Sequence, residues 1–243
     1  MSTTPYSNGR STNRNALVIP DLRVDTRIHS RVLQSPLAAR RRGIMLHYDD
    51  SSRDDWALEW FHDPRCKNGY TWLVLDDGTL VELADPGLRT PHAGPCLVPA
   101  ANSVFYGIAA ATNGLVPVTA EQFETIVQTC VALFHYHGWS AMQAADRIVG
   151  HDAQAVWTPE YTRAAGISEH HARLLWGTVG RKVDPTGVRH DGRKIIDLGA
   201  LQVKVAVLLR AHGHPVDPNP EPVPASAGVP LSHVRAEVSH AAA

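Results

Sequence analysis

The chain predicts an α/β fold, a mixed central β-sheet flanked by helices, on three observations. Short apolar runs of interior-strand length recur at "GIMLHYDD" (43–50) and "YGIAAAT" (106–112). "YTWLVLDDGTLVELAD" (70–85) reads as two strands around an Asp-Gly turn. Two amphipathic helical patterns lie between and after these runs. Strands interleaved with helices give the α/β class, and a hairpin forces part of the sheet to be antiparallel.

Each element has its own justification. In 43–50, Ile44, Leu46 and Tyr48 share one face while Met45, His47 and Asp49 share the other, because successive strand residues alternate. His47 is thereby placed in a buried strand, where an imidazole needs a partner. Asp-Gly between two apolar runs is the strongest short hairpin signal. Thr119 followed by Gln122 is a capping box, and Phe123, Ile126, Val127, Cys130, Leu133 and Phe134 follow at helical spacing, predicting a helix over 120–137. Asp197 opens a second helix with Leu198, Leu201, Val205, Leu208 and Leu209 on one stripe and Gly213 as its stop. Residues 1–15 are too polar to bury anything and read as a flexible leader. The segment 214–243 holds six prolines and reads as a semi-rigid, solvated tail. One folded unit, 16–213, remains, and it is read as a monomer.

Composition narrows the function classes. Net charge is −1 and the pI about 6.9, so the total gives no support for a nucleic-acid partner. The charge is uneven, however: residues 1–43 carry Arg10, Arg14, Arg23, Arg27, Arg31, Arg40, Arg41 and Arg42 against Asp21 and Asp25, a net of +6. Such an arm is either a solvated face or a tether to a polyanion. Cys66, Cys96 and Cys130 form no C-x-x-C pair, which argues against a disulfide framework and a cysteine-type zinc site. No apolar signal region opens the chain and no run of 18 apolar residues occurs, so the expectation is synthesis in the cytoplasm without a signal peptide and with no transmembrane segment.

The chemistry starts at "GRKVDPTG" (180–187). Pro185 biases the residue before it toward extended geometry, so Lys182 and Asp184 share a face. Alone this is a surface ion pair. His47 and His151, the latter after "RIVG", offer more: two histidines and a carboxylate are the protein part of a catalytic zinc site, with a fourth position for a water whose pKa falls to about 7. Lys182 would then lie beside the metal, suited to steadying an oxyanion or protonating a leaving group. Spacing alone also allows His47 and His151 to be satisfied core histidines.

The ordered motifs "MLHYDD", "NGYTWLVLDDGTLVE", "TPHAG", "NSVFYGIA", "RIVGHDA" and "GRKVDPTG" resemble the zinc-dependent N-acetylmuramoyl-L-alanine amidases, which include phage lysozyme-type endolysins and share the peptidoglycan-recognition-protein fold. The resemblance covers 43–112 and 147–187. It implies one Zn2+ per chain held by His47, His151 and Asp184, with Lys182 and Tyr70 as catalytic residues. It also implies that His92 and Asn102 border the groove for peptidoglycan or muropeptides. The implied role is bacteriolytic: a phage or prophage endolysin acting on the bacterial cell wall after release through a pore made by another protein.

Two departures stand out. Recycling members carry Glu after the "G-I" of the third strand, where this chain has Ala109, which favours the tyrosine-using phage type. Thirty residues (152–181) separate His151 from Lys182, where compact members have a handful; they include Trp157, Tyr161 and Trp176, suited either to stacking on sugars or to covering a sheet edge. His170-His171 and the His135/His137 pair read as exposed surface. The alternatives are a binding module that does not cut peptidoglycan and a cytoplasmic muropeptide-recycling amidase.

Overall fold

The computed structural model describes residues 17–28, 30–51, 53–94, 96, 98–154 and 194–213. The expected leader 1–15, the tail 214–243 and most of the 152–181 insert lie outside the described residues. Six strands form one sheet: β1 (Thr26–Arg27), β2 (Gly43–Tyr48), β3 (Trp72–Val74), β4 (Leu80–Glu82), β5 (Phe105–Ala110) and β6 (Ile148–Gly150), in the order β1-β4-β3-β5-β2-β6. The helices are α1 (Asp54–His62), α2 (Ala101–Val104), α3 (Ala120–His137), α4 (Ala144–Arg147), α5 (His151–Gln154) and α6 (Leu198–Ala211). β3, β5, β2 and β6 run parallel as neighbours, and β3 pairs antiparallel with β4. The sheet is therefore mixed, as the sequence predicts.

The hairpin turn is longer than a two-residue Asp-Gly loop. Gly78 N–H donates to the Leu75 carbonyl (2.9 Å) and Leu75 N–H to the Thr79 carbonyl (3.0 Å), closing a three-residue loop in which Gly78 has φ +83°. Glycine serves here as the left-handed residue that follows a tight turn. The loop is fastened to α3, since the hydroxyls of Thr119 and Thr125 donate to the carbonyls of Asp76 (2.8 Å) and Gly78 (2.7 Å).

The helix α3 occupies the expected span because both of its ends are locally encoded. Thr119 accepts from the Gln122 N–H, the Gln122 side chain accepts from the Thr119 N–H, and Gly138 closes the helix at φ 66°. Gln122 also donates to the carbonyls of Val74 (3.1 Å) and Ala111 (2.9 Å), tying the cap to the sheet.

The two sides of β2 face different surroundings. Ile44, Leu46 and Tyr48 belong to the large core made with Ile126, Cys130 and Leu133 of α3 and Leu201, Val205 and Leu209 of α6. The other side of the sheet carries two smaller clusters, one uniting Ala57 and Phe61 of α1 with Leu73, Val81 and Ala109, the other uniting Met45, Ala93, Val104 and Phe105. His47 stands where they meet, two residues beyond Met45 and in register with Ala109.

Two expectations require correction. The arginine-rich segment is not a uniformly solvated arm: Arg40 and Arg42 are exposed, but Arg41 is only 4 % exposed. Its guanidinium donates to the carbonyls of Asn102 (3.3 Å), Phe105, Pro86 (3.4 Å) and Leu88 (2.6 Å) and lies 4.4 Å above the Tyr106 ring. Burial lowers its pKa to about 10, which still leaves it charged at neutral pH. Nor are His135 and His137 exposed; both are half-buried. His137 stacks on Trp139 (4.4 Å, 11°) and is hydrogen-bonded to the Tyr106 hydroxyl (3.0 Å). Desolvation is the main cause that lowers its pKa to about 4, so the ring packs as a neutral aromatic. All three cysteines are free thiols, and among the described residues no helix is long and apolar enough to cross a membrane.

Candidate active site

Parallel register builds the center of the site. β2 pairs with β6 as Ile44↔Ile148, Met45↔Val149 and Leu46↔Gly150, so the residues that follow, His47 and His151, emerge side by side. Their rings lie 4.5 Å apart at 68°, and both residues are buried, His47 at 1 % exposure and His151 at 0 %. Tyr70, half-buried just before β3, brings its ring to 4.9 Å from that of His47, and its hydroxyl donates to the Tyr48 carbonyl (3.3 Å). Phe61 of α1 supports Tyr70 from behind (6.2 Å, 74°).

His92 and Asn102 lie against the two histidines. His92 is 6 % exposed and packs over β5 at Gly107, where a Cβ would come within 2.8 Å of its ring. Glycine at 107 is thus what lets the ring approach the sheet. Desolvation, with His47 and His151 as nearby charges, lowers the His92 pKa well below its ordinary value, so the ring is neutral, one nitrogen donating and the other accepting. Because a carbonyl only accepts, Nε2 of His92 donates to Phe105 (3.2 Å), and Nδ1 accepts from Nε2 of His47 (3.0 Å). Asn102, half-buried, accepts through Oδ1 from the backbone N–H groups of both His92 (2.8 Å) and Ala93 (2.7 Å). The Ala93 carbonyl accepts from Nε2 of His151 (2.8 Å). Each of these two imidazoles therefore uses Nε2 for a hydrogen bond to the 92–93 dipeptide.

Asp49 directly follows β2. Its carboxylate accepts from the Ser51 N–H (3.2 Å), the Ser51 hydroxyl (2.6 Å) and the Thr112 N–H (3.0 Å). It closes the ends of β2 and β5. Lys182 and Asp184 lie outside the described residues, and among those that are described no group of three or more His, Cys, Asp or Glu makes a metal site. The structure thus brings together His47, His151 and Tyr70, with His92 and Asn102 behind them. His92 is the partner that His47 requires, and only its neighborhood in space identifies it as such.

Two buried imidazoles and a tyrosine thus meet where β2 and β6 end and beside the start of β3. Comparison with known proteins specifies the family. The family model for N-acetylmuramoyl-L-alanine amidase (Amidase_2) matches residues 38–186, more than half of the chain, and the chain belongs to that family of enzymes. Among solved structures, a selenomethionine derivative of AmpD superposes with a TM-score of 0.54 at 15 % identity, covering 77 % of this chain and 99 % of AmpD. The hydrolase AmiA of Staphylococcus aureus gives 0.50 at 15 % identity, covering 79 % and 86 %. At that identity the likeness is one of fold, and it is the amidase fold implied by the motifs. No curated protein matches the chain.

Proposed function

We propose that this amidase is zinc-dependent, that it cleaves the amide between the lactyl group of N-acetylmuramic acid and L-alanine, and that it acts as an endolysin of a phage or prophage. The convergence of His47 and His151, each with Nε2 committed to an acceptor, is the observation that supports the zinc reading most strongly. Outward hydrogen bonds of this kind are how proteins orient metal-binding imidazoles. His47 and His151 would hold the ion together with Asp184. Bound there, zinc supplies a Lewis acid and a water that ionizes near neutral pH.

The remaining roles fall to the chain's own groups. Tyr70, with its ring 4.9 Å from that of His47, would turn its hydroxyl proton from the Tyr48 carbonyl to the oxyanion that forms as the substrate carbonyl is attacked, and Lys182 would supply a proton to the departing amine nitrogen. Tyr70→Phe and Lys182→Ala are each expected to keep zinc bound and lower kcat by roughly 10² to 10³, the usual cost of one lost oxyanion donor. Wild-type rates in either variant would return that residue to a structural role.

The lytic reading rests on Ala109. This residue is the register partner of His47, so the glutamate that recycling members carry would stand next to the metal ligand, and here a methyl group stands instead. Chemistry at that point is left to Tyr70, the arrangement that the phage-type resemblance implies. The decisive experiment is digestion of purified peptidoglycan with mass analysis of the fragments, alongside metal analysis. About one zinc per chain is expected, with activity lost on chelation and restored by zinc. Release of free L-alanine-terminated stems supports the assignment. Activity in a preparation that contains no metal would overturn it.

A further inference from the structure

The T-P-H-A-G loop touches both histidines of the site at once. We propose that the His92-Ala93 dipeptide, fastened by Asn102, is a positioning element that sets the ring orientation and tautomer of His47 and His151 together. The side chain of His92 accepts from Nε2 of His47, and the next residue's carbonyl accepts from Nε2 of His151. A single side chain, Asn102, holds the backbone N–H groups of both His92 and Ala93, so the two acceptors are locked to each other as well as to the rings. The far side of His92 is anchored on the Phe105 carbonyl, which stops the ring from turning over and offering Nε2 to His47 instead. Gly107 beneath the ring and Arg41 on the same Phe105 carbonyl complete the seat.

A proton held on Nε2 of each imidazole leaves Nδ1 as the basic nitrogen of the neutral ring. His47 and His151 come from segments far apart in the chain, and the two hydrogen bonds to the 92–93 dipeptide tie both rings to one element. The purpose assigned to the orientation, presenting two Nδ1 atoms to one cation, rests on the zinc reading above; the orientation itself does not.

The test pairs disruptive with conservative variants. His92→Leu removes the acceptor, while His92→Asn places an amide oxygen close to where Nδ1 was. Asn102→Ala releases the loop, while Asn102→Asp keeps an acceptor for both N–H groups. Long-range 1H–15N spectra of the metal-free protein read which ring nitrogen of His47 and His151 carries the proton, and competition with a chromophoric chelator reads zinc affinity. We expect the Nε2-protonated form in the wild type, in His92→Asn and in Asn102→Asp. Mixed tautomers and zinc affinity weakened by roughly 10- to 100-fold, the usual loss on removing a partner of a metal ligand, are expected in His92→Leu and Asn102→Ala. Unchanged tautomers and affinity in the disruptive variants overturn the proposal. If His92→Leu fails to fold, the Asn102 pair decides, since equal behavior of Asn102→Asp and Asn102→Ala overturns it as well. A wild type that binds no zinc would defeat the zinc reading while the metal-free spectra still decide whether the dipeptide orients the rings.

Discussion

His47→Ala and His151→Ala are each expected to remove zinc retention and amidase turnover together, with activity falling by roughly 10⁴-fold or more, the scale seen when one member of a set that acts as a unit is lost. One imidazole cannot stand in for the other, because each reaches the site from a different strand, β2 or β6, in a fixed register. Folding should persist. The sheet ladder is made by backbone groups, and the large core packs on the opposite side of β2, where Ile44, Leu46 and Tyr48 remain. Zinc per chain by mass spectrometry, release of muropeptides and a melting curve separate the outcomes. A variant that keeps zinc but loses turnover would assign the residue to catalysis rather than to ligation, and one that keeps both would remove it from the site.

The second large effect concerns stability. Arg41→Ala strips the carbonyls of Pro86, Leu88, Asn102 and Phe105 of a shared charged donor inside the protein. Buried acceptors left without a partner are costly, and a loss of roughly 3–4 kcal/mol is expected. For a chain of this size that is a fall in Tm on the order of 10 °C. Activity should fall too, because the Phe105 carbonyl also anchors His92. Arg41→Lys should recover only part of the loss, since one ammonium cannot reproduce the planar fork that spans four carbonyls. An unchanged Tm in Arg41→Ala would mean that water replaces the guanidinium. Arg40 and Arg42, both exposed, should tolerate neutralization, so any test of attraction to an anionic wall has to leave Arg41 in place.

What the sequence determined by itself is what short-range chemistry encodes. The capping box at Thr119 and Gln122 and the glycine at 138 delimit α3 using residues only a few positions apart. The alternation in 43–48 places Ile44, Leu46 and Tyr48 on the helix side and His47 on the other, because the period of a strand is two. The order of six motifs identifies the family and points to His47, His151 and Tyr70. The tertiary structure alone decided the rest. The parallel pairing of β2 with β6 joins segments about a hundred residues apart in sequence and sets His151 beside His47. That His92 is the buried partner of His47 is not visible in the chain, since it depends on Gly107 beneath the ring and on Asn102 holding its backbone N–H. Arg41 looks like one of three equivalent arginines, and which of the three turns inward depends on carbonyls from residues 86 to 105 that converge only in the fold. Local propensity and periodicity are properties of neighbors in the chain. Burial and hydrogen-bond partnership are properties of neighbors in space, and those are settled when the strands pair.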